Sequence, residues 1–292
     1  MRKYDAAGTQ LWTRQFGTAS NDEARSVSVG SDGSVLVAGY TPGTFSGQAS
    51  AGNLDAFVRK YDAAGTELWT RQFGTASTDY GYSVSVGSDG SVLVAGHTFG
   101  TFSGQSNAGS YDAFVRKYDA AGTELWTRQF GSASTDDARS VSVASDGSVL
   151  VVGRTDGTFP GQSSVGSWDA FVRKYDAAGD ELWTRQFGTA SNDYPQSVSV
   201  GSDGSVLVAG YTGGTLPGQS SAGGIDAFVR TYDAAGTELW TRQFGSASTD
   251  IAYSVSVGSD GSVLVAGHTG GTLPGQSSAG GGDAFVMNLA EP

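Results

Sequence analysis

The chain has 292 residues, with 45 glycines, no cysteine and a formal net charge of −12. Without cysteine it forms no disulfide, and so acidic a chain does not favour binding to the phosphate backbone of nucleic acids. We therefore expect no nucleic-acid partner. No apolar run approaches the length of a membrane-spanning helix, so we also expect no membrane insertion.

A 57-residue repeat organises the sequence. The segment Ser26–Gly39 reads SVSVGSDGSVLVAG and returns four times, with differences only at Ala144 and Val152. A fixed period of this size is typical of solenoids, propellers and arrays. The later copies are Ser83–Gly96, Ser140–Gly153, Ser197–Gly210 and Ser254–Gly267.

Each unit predicts four strands in chain order. SVSVG and SVLVAGYT alternate small and apolar residues around an Asp32-Gly33 turn, which predicts a hairpin. The Gly/Ser/Thr-rich loop Thr41–Leu54 comes next, and then the strands DAFVRKYD (Asp55–Asp62) and ELWTRQFG (Glu67–Gly74) around an Ala-Ala-Gly turn. No helical apolar period is present, so the sequence predicts an all-β protein.

Three columns of the repeat predict packing roles. In the long loop an apolar residue, such as Phe45, is expected to pin the loop, and a glutamine such as Gln48 to satisfy loop backbone groups. The tryptophans of the fourth strand are expected to be buried spacers between outer strands. They are Trp12, Trp69, Trp126, Trp183 and Trp240.

These features predict a five-bladed β-propeller of four-stranded antiparallel blades, forming a single domain over residues 1–292. Blades splay apart away from the axis, so we place the small SVSVG strand innermost and the large LWTRQFG strand outermost. An open β-solenoid is the alternative. The repeat units are 26–74, 83–131, 140–188, 197–245 and 254–289, the last one completed by residues 11–17.

The two ends of the chain predict how the ring closes. The N-terminal segment contains one complete outermost-type strand, Leu11–Gly17, and the C-terminal copy ends on a third-type strand, Asp283–Leu289. We therefore expect Leu11–Gly17 to pair beside Asp283–Leu289, in competition with the short Arg2–Tyr4, and the protein to be a monomer. Closure would remove exposed sheet edges.

The sequence offers no catalytic constellation, and we predict that the chain is not an enzyme and carries no cofactor. The only two histidines, His97 and His268, share one repeat position where other copies have tyrosine or arginine. A five-bladed glycosidase would need two carboxylates in different environments. The only loop carboxylates near the predicted axis are one aspartate that recurs at the same position of every repeat. For this aspartate we favour hydrogen bonding to the loop backbone, and a ring of carboxylates that attracts a cation is the alternative. The copies of this aspartate are Asp22, Asp79, Asp136, Asp193 and Asp250.

The copies differ mainly at strand ends and loops that the predicted strand order places on one face. Tyrosine, tryptophan, arginine and histidine at such positions are typical of binding surfaces. We predict a scaffold that binds a glycan or a protein there. The alternative is a purely structural or designed repeat protein with no ligand, in which these exposed positions differ by sequence drift. The candidate ligand-binding residues are Glu23, Arg25, Tyr40, Tyr80, Tyr82, His97, Asp137, Arg139, Arg154, Trp168, Tyr194, Tyr211, Tyr253 and His268.

The segment GSYDAFVRKYDAAGTELWTRQFGSAS, followed by SVSVASDGSVLVVGRT, resembles the bacterial β-propeller repeat called SBBP. The resemblance covers essentially the whole chain and implies a propeller fold. It also implies occurrence in secreted or surface-attached bacterial proteins, although MRKYDAAG shows no signal-peptide pattern. The family carries no catalytic residues that transfer to this chain. Its name implies seven blades, whereas five periods are present, and near-identical copies are typical of recent amplification or of design.

Overall fold

A computed structural model describes residues 1–258 and 260–289. Over these residues the regular secondary structure consists of β-strands, which confirms the all-β prediction. No helix in this part of the chain is long and apolar enough to cross a membrane.

The strands form four antiparallel sheets of four strands, one sheet of three and one of two. The two-stranded sheet, here called the N-terminal hairpin, consists of β1 (Arg2–Tyr4) and β2 (Gln10–Thr13). Sheet 1 is β3 (Glu23–Val29), β4 (Val35–Thr41), β5 (Asp55–Tyr61) and β6 (Glu67–Phe73). Sheet 2 is β7 (Asp79–Val86), β8 (Val92–Thr98), β9 (Asp112–Tyr118) and β10 (Glu124–Phe130). Sheet 3 is β11 (Asp136–Val143), β12 (Val149–Thr155), β13 (Asp169–Tyr175) and β14 (Glu181–Phe187). Sheet 4 is β15 (Asp193–Val200), β16 (Val206–Thr212), β17 (Asp226–Tyr232) and β18 (Glu238–Phe244). Sheet 5 is β19 (Asp250–Val257), β20 (Val263–Thr269) and β21 (Asp283–Leu289).

Strand order within each sheet follows chain order, as predicted. In sheets 2 to 5 the first strand contacts the first and second strands of the preceding sheet, so the small SVSV strands lie together. Second and third strands are almost completely buried in sheets 1 to 4, because apolar residues on both faces meet a neighbouring sheet. The core is therefore a series of apolar layers between consecutive sheets.

The predicted Asp-Gly turn joins the first and second strands of sheets 1 to 5, and the predicted Ala-Ala-Gly turn joins the third and fourth strands of sheets 1 to 4. At Gly33 the backbone φ is +77°, and at Gly65 it is +81°, values that glycine adopts without steric cost. The amide of Gly65 donates to the carbonyl of Asp62 at 3.0 Å, and Asp62 Oδ1 accepts from the amide of Thr66. Both turn types lie at the end of the sheets opposite the variable positions, as the strand directions require.

Polar side chains of the outer strand tie each sheet to the next. Trp69 Nε1 donates to the carbonyl of Ala120 at 3.1 Å, and Arg71 Nε donates to the carbonyl of Gly122 at 2.6 Å. The arginine of WTRQF makes the same bond to the following sheet from sheets 1, 2 and 3. The tryptophan prediction is only partly correct. Trp12 and Trp183 are buried, whereas the other three are half-buried, because the outer strand has one edge at the perimeter.

The long loops are held by a reciprocal glutamine pair rather than by one glutamine. Phe45 is buried, as predicted, and its amide donates to Gln72 Oε1 of the outer strand at 2.9 Å. Gln48 Oε1 accepts from the backbone amide of Gln72 at 3.0 Å, so Gln48 satisfies the strand and Gln72 satisfies the loop. Gln48 also satisfies its own loop, as predicted, because its Nε2 donates to the carbonyl of Gly47 at 3.1 Å.

The predicted closure by Leu11–Gly17 is also wrong. Strand β2, which overlaps that segment at residues 11–13, pairs with β1, and the only described partner of β21 (Asp283–Leu289) is β20. The hairpin is favoured because its Asp5-to-Gly8 turn has the same bonding as the other Ala-Ala-Gly turns, with Gly8 N donating to Asp5 O at 3.0 Å. A short loop closes at a smaller entropic cost than a connection across the whole chain.

The first strand of every sheet from 1 to 5 contains a β-bulge near its start, and a glycine on the second strand makes room for it. In sheet 3 the register shifts between Ala138 and Ser140, opposite Gly153. A Cβ on Gly153 would overlap the carbonyl oxygen of Asp137 and lie 2.7 Å from the Phe171 ring. The second strand therefore requires glycine at this position.

Replacing Gly153 by alanine should lower the free energy of unfolding by about 1–3 kcal/mol, as for other overpacked sites. Urea unfolding followed by tryptophan fluorescence measures the loss. Gly224→Ala is the matched control, because its Cβ would meet nothing closer than 3.9 Å and its φ is not positive. Equal stability of the two variants would contradict the steric argument.

Candidate functional site

The variable positions of each sheet form a cross-strand pair followed by a bulged residue. Tyr80 lies directly opposite His97, Asp137 opposite Arg154, and Tyr194 opposite Tyr211. The bulged residue comes two positions after the first member of each pair. It is Arg25, Tyr82, Arg139, Gln196 or Tyr253 in sheets 1 to 5. A bulge re-aims its side chain, which explains how these residues reach the neighbouring sheet.

Aromatic rings form a continuous cluster across sheets 1 and 2. Tyr40 packs edge-on against Tyr80 with ring centroids 4.8 Å apart, and Tyr80 stacks on Tyr82 at 5.8 Å with planes 12° apart. His97 contacts Tyr80 at 4.8 Å and Tyr111 at 4.6 Å. These distances fall in the range for favourable ring pairs.

A charged cluster follows on sheet 3. Arg139 donates to both oxygens of Asp137, at 2.7 and 2.8 Å, and Arg154 Nε donates to Asp137 Oδ2 at 3.0 Å. Asp137 is buried, and both arginines are partly exposed. One carboxylate therefore faces two guanidinium groups.

Both arginines of the charged cluster also lie over aromatic rings. Arg139 lies 4.9 Å from the Tyr82 ring centre of sheet 2. Arg154 lies between Trp168 at 4.5 Å and Tyr194 of sheet 4 at 4.7 Å. Contacts of this kind fix the guanidinium planes. The charged cluster thus joins the aromatic residues of sheets 2 and 4 into one surface, here called the aromatic face.

Three titratable groups of this face, His97, Tyr82 and Arg139, have shifted pKa values. Burial lowers the pKa of His97 to about 4, so its imidazole is neutral. The pKa of Tyr82 is raised, mainly by burial. Burial alone would lower the pKa of Arg139, but the Asp137 carboxylate raises it above its ordinary value. None of these groups is poised near neutral pH.

The structure does not bring every candidate residue into the aromatic face. Arg25 and Glu23 lie at its edge on sheet 1, where Arg25 donates to the Tyr40 hydroxyl at 2.6 Å, lies over the Tyr40 ring at 5.2 Å and pairs with Glu23 at 2.9 Å. Tyr253 and His268 of sheet 5 make no aromatic or cation–π contact with the described residues. The face therefore runs from sheet 1 to sheet 4.

Three segments of the chain, residues 68–102, 125–160 and 182–217, match the model of the SBBP β-propeller repeat. This chain carries SBBP β-propeller repeats. The match, together with the repeated four-stranded antiparallel sheets, confirms the propeller class of the fold and the expected resemblance.

Comparison with known proteins finds a similar curated protein and similar solved structures. The regulatory protein FlaEY of Caulobacter vibrioides is 31% identical over 244 residues, covering 72% of this chain and 25% of that protein. The β-propeller domain of the Trilobed protease from Pyrococcus furiosus aligns with a TM-score of 0.48 and 9% identity, over 92% of this chain and 70% of that chain. The Neurospora crassa Pan2 WD40 domain aligns with a TM-score of 0.47 and 11% identity, over 85% and 75% respectively. The chain thus spans a quarter of the length of FlaEY.

The aspartate column of the SBBP repeats has the structural role favoured from the sequence. Asp79 Oδ2 accepts from the amide of Thr75 at 2.7 Å, and Asp136, Asp193 and Asp250 accept in the same way from the residue four positions earlier. Asp22 does so as well, with Thr18 as the donor. No group of three or more ligand-type side chains placed to hold a metal ion occurs in residues 1–258 and 260–289.

Sequence reasoning missed two parts of the site in these repeats. Phe99 contacts His97 at 5.5 Å and Tyr111 at 4.8 Å, and so extends the aromatic cluster to the surface. Because Phe99 lies in a loop where the other copies have proline, aspartate or glycine, its difference between copies was the available signal. The second missed part is the β-bulge, which in sheet 3 leaves Arg139 unpaired between Ala138 and Ser140.

Proposed function

We propose that the chain is a non-enzymatic propeller scaffold of five repeated sheets whose aromatic face binds a glycan that carries a carboxylate. The observation that carries this proposal is the cluster in which one buried carboxylate, Asp137, faces the two guanidinium groups of Arg139 and Arg154. A second carboxylate would complete the pairing of the guanidinium groups with charge-assisted hydrogen bonds.

The aromatic side chains beside the two arginines supply the other half of sugar recognition. Trp168 and Tyr194 flank Arg154 and are each half-buried, so part of each ring faces solvent. Ligand sites combine apolar surface with a few fixed polar groups, and the ring and arginine planes meet that description. The neutral, buried His97 and the aspartates that bond to loop amides support a binding role rather than acid–base chemistry.

A glycan array with acidic and neutral sugars, followed by calorimetry on the hits, tests the proposal. Trp168→Ala and Arg154→Gln should each weaken binding of an acidic glycan by about tenfold or more, which corresponds to 1.4 kcal/mol. Arg242→Gln is the matched control, since Arg242 is exposed in the middle of the outer strand β18, and it should leave affinity unchanged.

Three results would contradict parts of this proposal. Binding of neutral and acidic glycans with equal affinity would remove the role of the arginine pair. The absence of binding to every glycan on the array would contradict glycan binding. Hydrolysis of any glycan would contradict the non-enzymatic assignment.

A protein partner is the second candidate for the same face. Tyrosine, tryptophan and arginine dominate binding energy in protein interfaces, and the exposed ring of Phe99 enlarges the apolar area. The discriminating result is loss of binding to an identified protein on Trp168→Ala, combined with no glycan binding by the unmodified chain.

A further inference from the structure

The face of sheet 1 that points away from sheet 2 is uncovered along its first strand. Val27 and Val29 in β3 are 59% and 61% exposed. The equivalents of Val27 in the later sheets are only 5–7% exposed, because each one packs on the preceding sheet. They are Val84, Val141, Val198 and Val255. The first strand of sheet 1 thus presents the apolar residues of an internal sheet–sheet contact without their partner.

The opposite face of the stack, on sheet 5, is uncovered in the complementary way. Val286 in β21 is 78% exposed and Leu264 in β20 is 43% exposed. The equivalents of Val286 in sheets 1 to 4 are completely buried against the next sheet. They are Val58, Val115, Val172 and Val229. Sheet 5 therefore presents the other half of the same contact.

A repeated hydrogen bond shows that the two open faces match in polar groups as well. Val84 N donates to Ser26 Oγ of the preceding sheet at 3.1 Å, and the same bond recurs at the next three contacts. Continuing this spacing would join Val27 N of sheet 1 to Ser254 Oγ of sheet 5. Both residues lie on the open faces, and Ser254 is exposed.

The N-terminal hairpin already occupies part of the joint. Trp12 Nε1 of β2 donates to Ala63 O at 3.1 Å, just as Trp69 of β6 donates to Ala120 O. Strand β2 therefore lies where the outer strand of a sheet preceding sheet 1 would lie. Sheet 5 consists of the first three strand types and, within the described residues, has no fourth strand.

We propose that copies of this chain associate head to tail, with sheet 5 of one copy packing on sheet 1 of the next. Strand β21, with seven residues, replaces the three-residue β1 beside β2 and so completes a four-stranded sheet from two chains. A second copy is the occupant because the matching surface of this chain's own sheet 5 does not cover Val27. The contact joins two different surfaces, so it extends into rings or open chains of molecules.

Analytical ultracentrifugation of the 292-residue chain across a wide range of concentrations tests the proposal. The mass should rise with concentration above the 29.8 kDa of one chain. Val27→Lys with Val29→Lys should block only the sheet 1 face, and Val286→Lys only the sheet 5 face, so each variant should remain a single chain. Mixed together, the two variants should form a one-to-one dimer through their unblocked faces.

Val165→Lys is the matched control, because Val165 is 57% exposed but lies in a loop away from both faces. It should associate like the unmodified chain. A single-chain mass for the unmodified protein at every concentration would overturn the proposal, and protection of Val27 and Val286 from footprinting reagents in that state would show closure within one chain. A mixture of blocked variants that stays monomeric while the unmodified protein associates would overturn the head-to-tail arrangement.

Discussion

Phe171→Ala is expected to lower the free energy of unfolding by about 3–5 kcal/mol, the loss typical of a deleted buried aromatic side chain. Phe171 in β13 is completely buried. Its ring packs edge-on against Phe130 at 5.7 Å and against Phe159 at 5.2 Å. Phe130 belongs to sheet 2 and Phe159 to the long loop of sheet 3, so the substitution would open a cavity where three elements meet.

Urea unfolding followed by tryptophan fluorescence measures this loss. Leu182→Ala is the matched control in the same sheet, because Leu182 is 54% exposed and its replacement should change stability by no more than about 0.5 kcal/mol. Comparable losses for the two variants would mean that the layers between sheets do not supply the stability of the repeat.

The strands and turns of this protein could be predicted because their causes are local. Alternation in SVSV and SVLVAG fixes which side chains share a face of the sheet, and glycine at Gly33 and Gly65 permits the positive φ of each turn. The assignment of the Asp79 column to loop hydrogen bonding followed from the same local chemistry, and the bond from the Thr75 amide bears it out.

The arrangement of the chain ends depended on a competition that sequence matching does not resolve. Both β1 and β21 carry third-strand residues that suit the edge of β2. Matching by residue type favoured the longer β21, whereas the structure pairs β2 with β1 through a short turn. The entropic cost of loop closure, rather than side-chain type, distinguishes the two pairings.

The candidate site was predicted residue by residue but not as a cluster. Placing the variable positions on one face required only strand direction. That Arg154 would lie between Trp168 and Tyr194 depends on the distance between sheets 3 and 4, which no local pattern encodes. The bulge that re-aims Arg139 toward Tyr82 likewise arises from the fit of Gly153 against the neighbouring strand.

Asp136→Asn is expected to raise the free energy of unfolding near neutral pH by up to about 3 kcal/mol, at 1.36 kcal/mol per pKa unit. Burial raises the pKa of Asp136 from 3.8 to about 6, against the opposing hydrogen bonds from Ser132. A Cβ on Gly131 would touch Asp112 Oδ1 and lie 2.8 Å from Asp136 Oδ2, so the two carboxylates approach the same point. An asparagine can accept from Ser132 N and donate to Asp112 without a second buried charge.

The sign of the pH dependence follows from the raised pKa. The folded chain binds the Asp136 proton more tightly than the unfolded chain does, so this group stabilises the fold below about pH 4, and the contribution is lost as the pH rises through about 6. The advantage of the asparagine variant should therefore be largest at neutral pH and disappear toward pH 4. His97 and the other titrating groups are common to both proteins and cancel in the difference.

Urea unfolding of both proteins across this pH range measures the difference, and Asp119→Asn provides a control of opposite sign. Asp119 lies in an exposed turn, where the bond from the Thr123 amide lowers its pKa. Its charge therefore stabilises the fold at neutral pH, and the contribution is lost as the pH falls through that lowered pKa, so the Asp119→Asn variant should be the less stable protein at neutral pH. If Asp136→Asn also destabilised the chain at neutral pH, Asp136 would act in the fold as an ionised hydrogen-bond acceptor rather than as a buried charge that the fold tolerates.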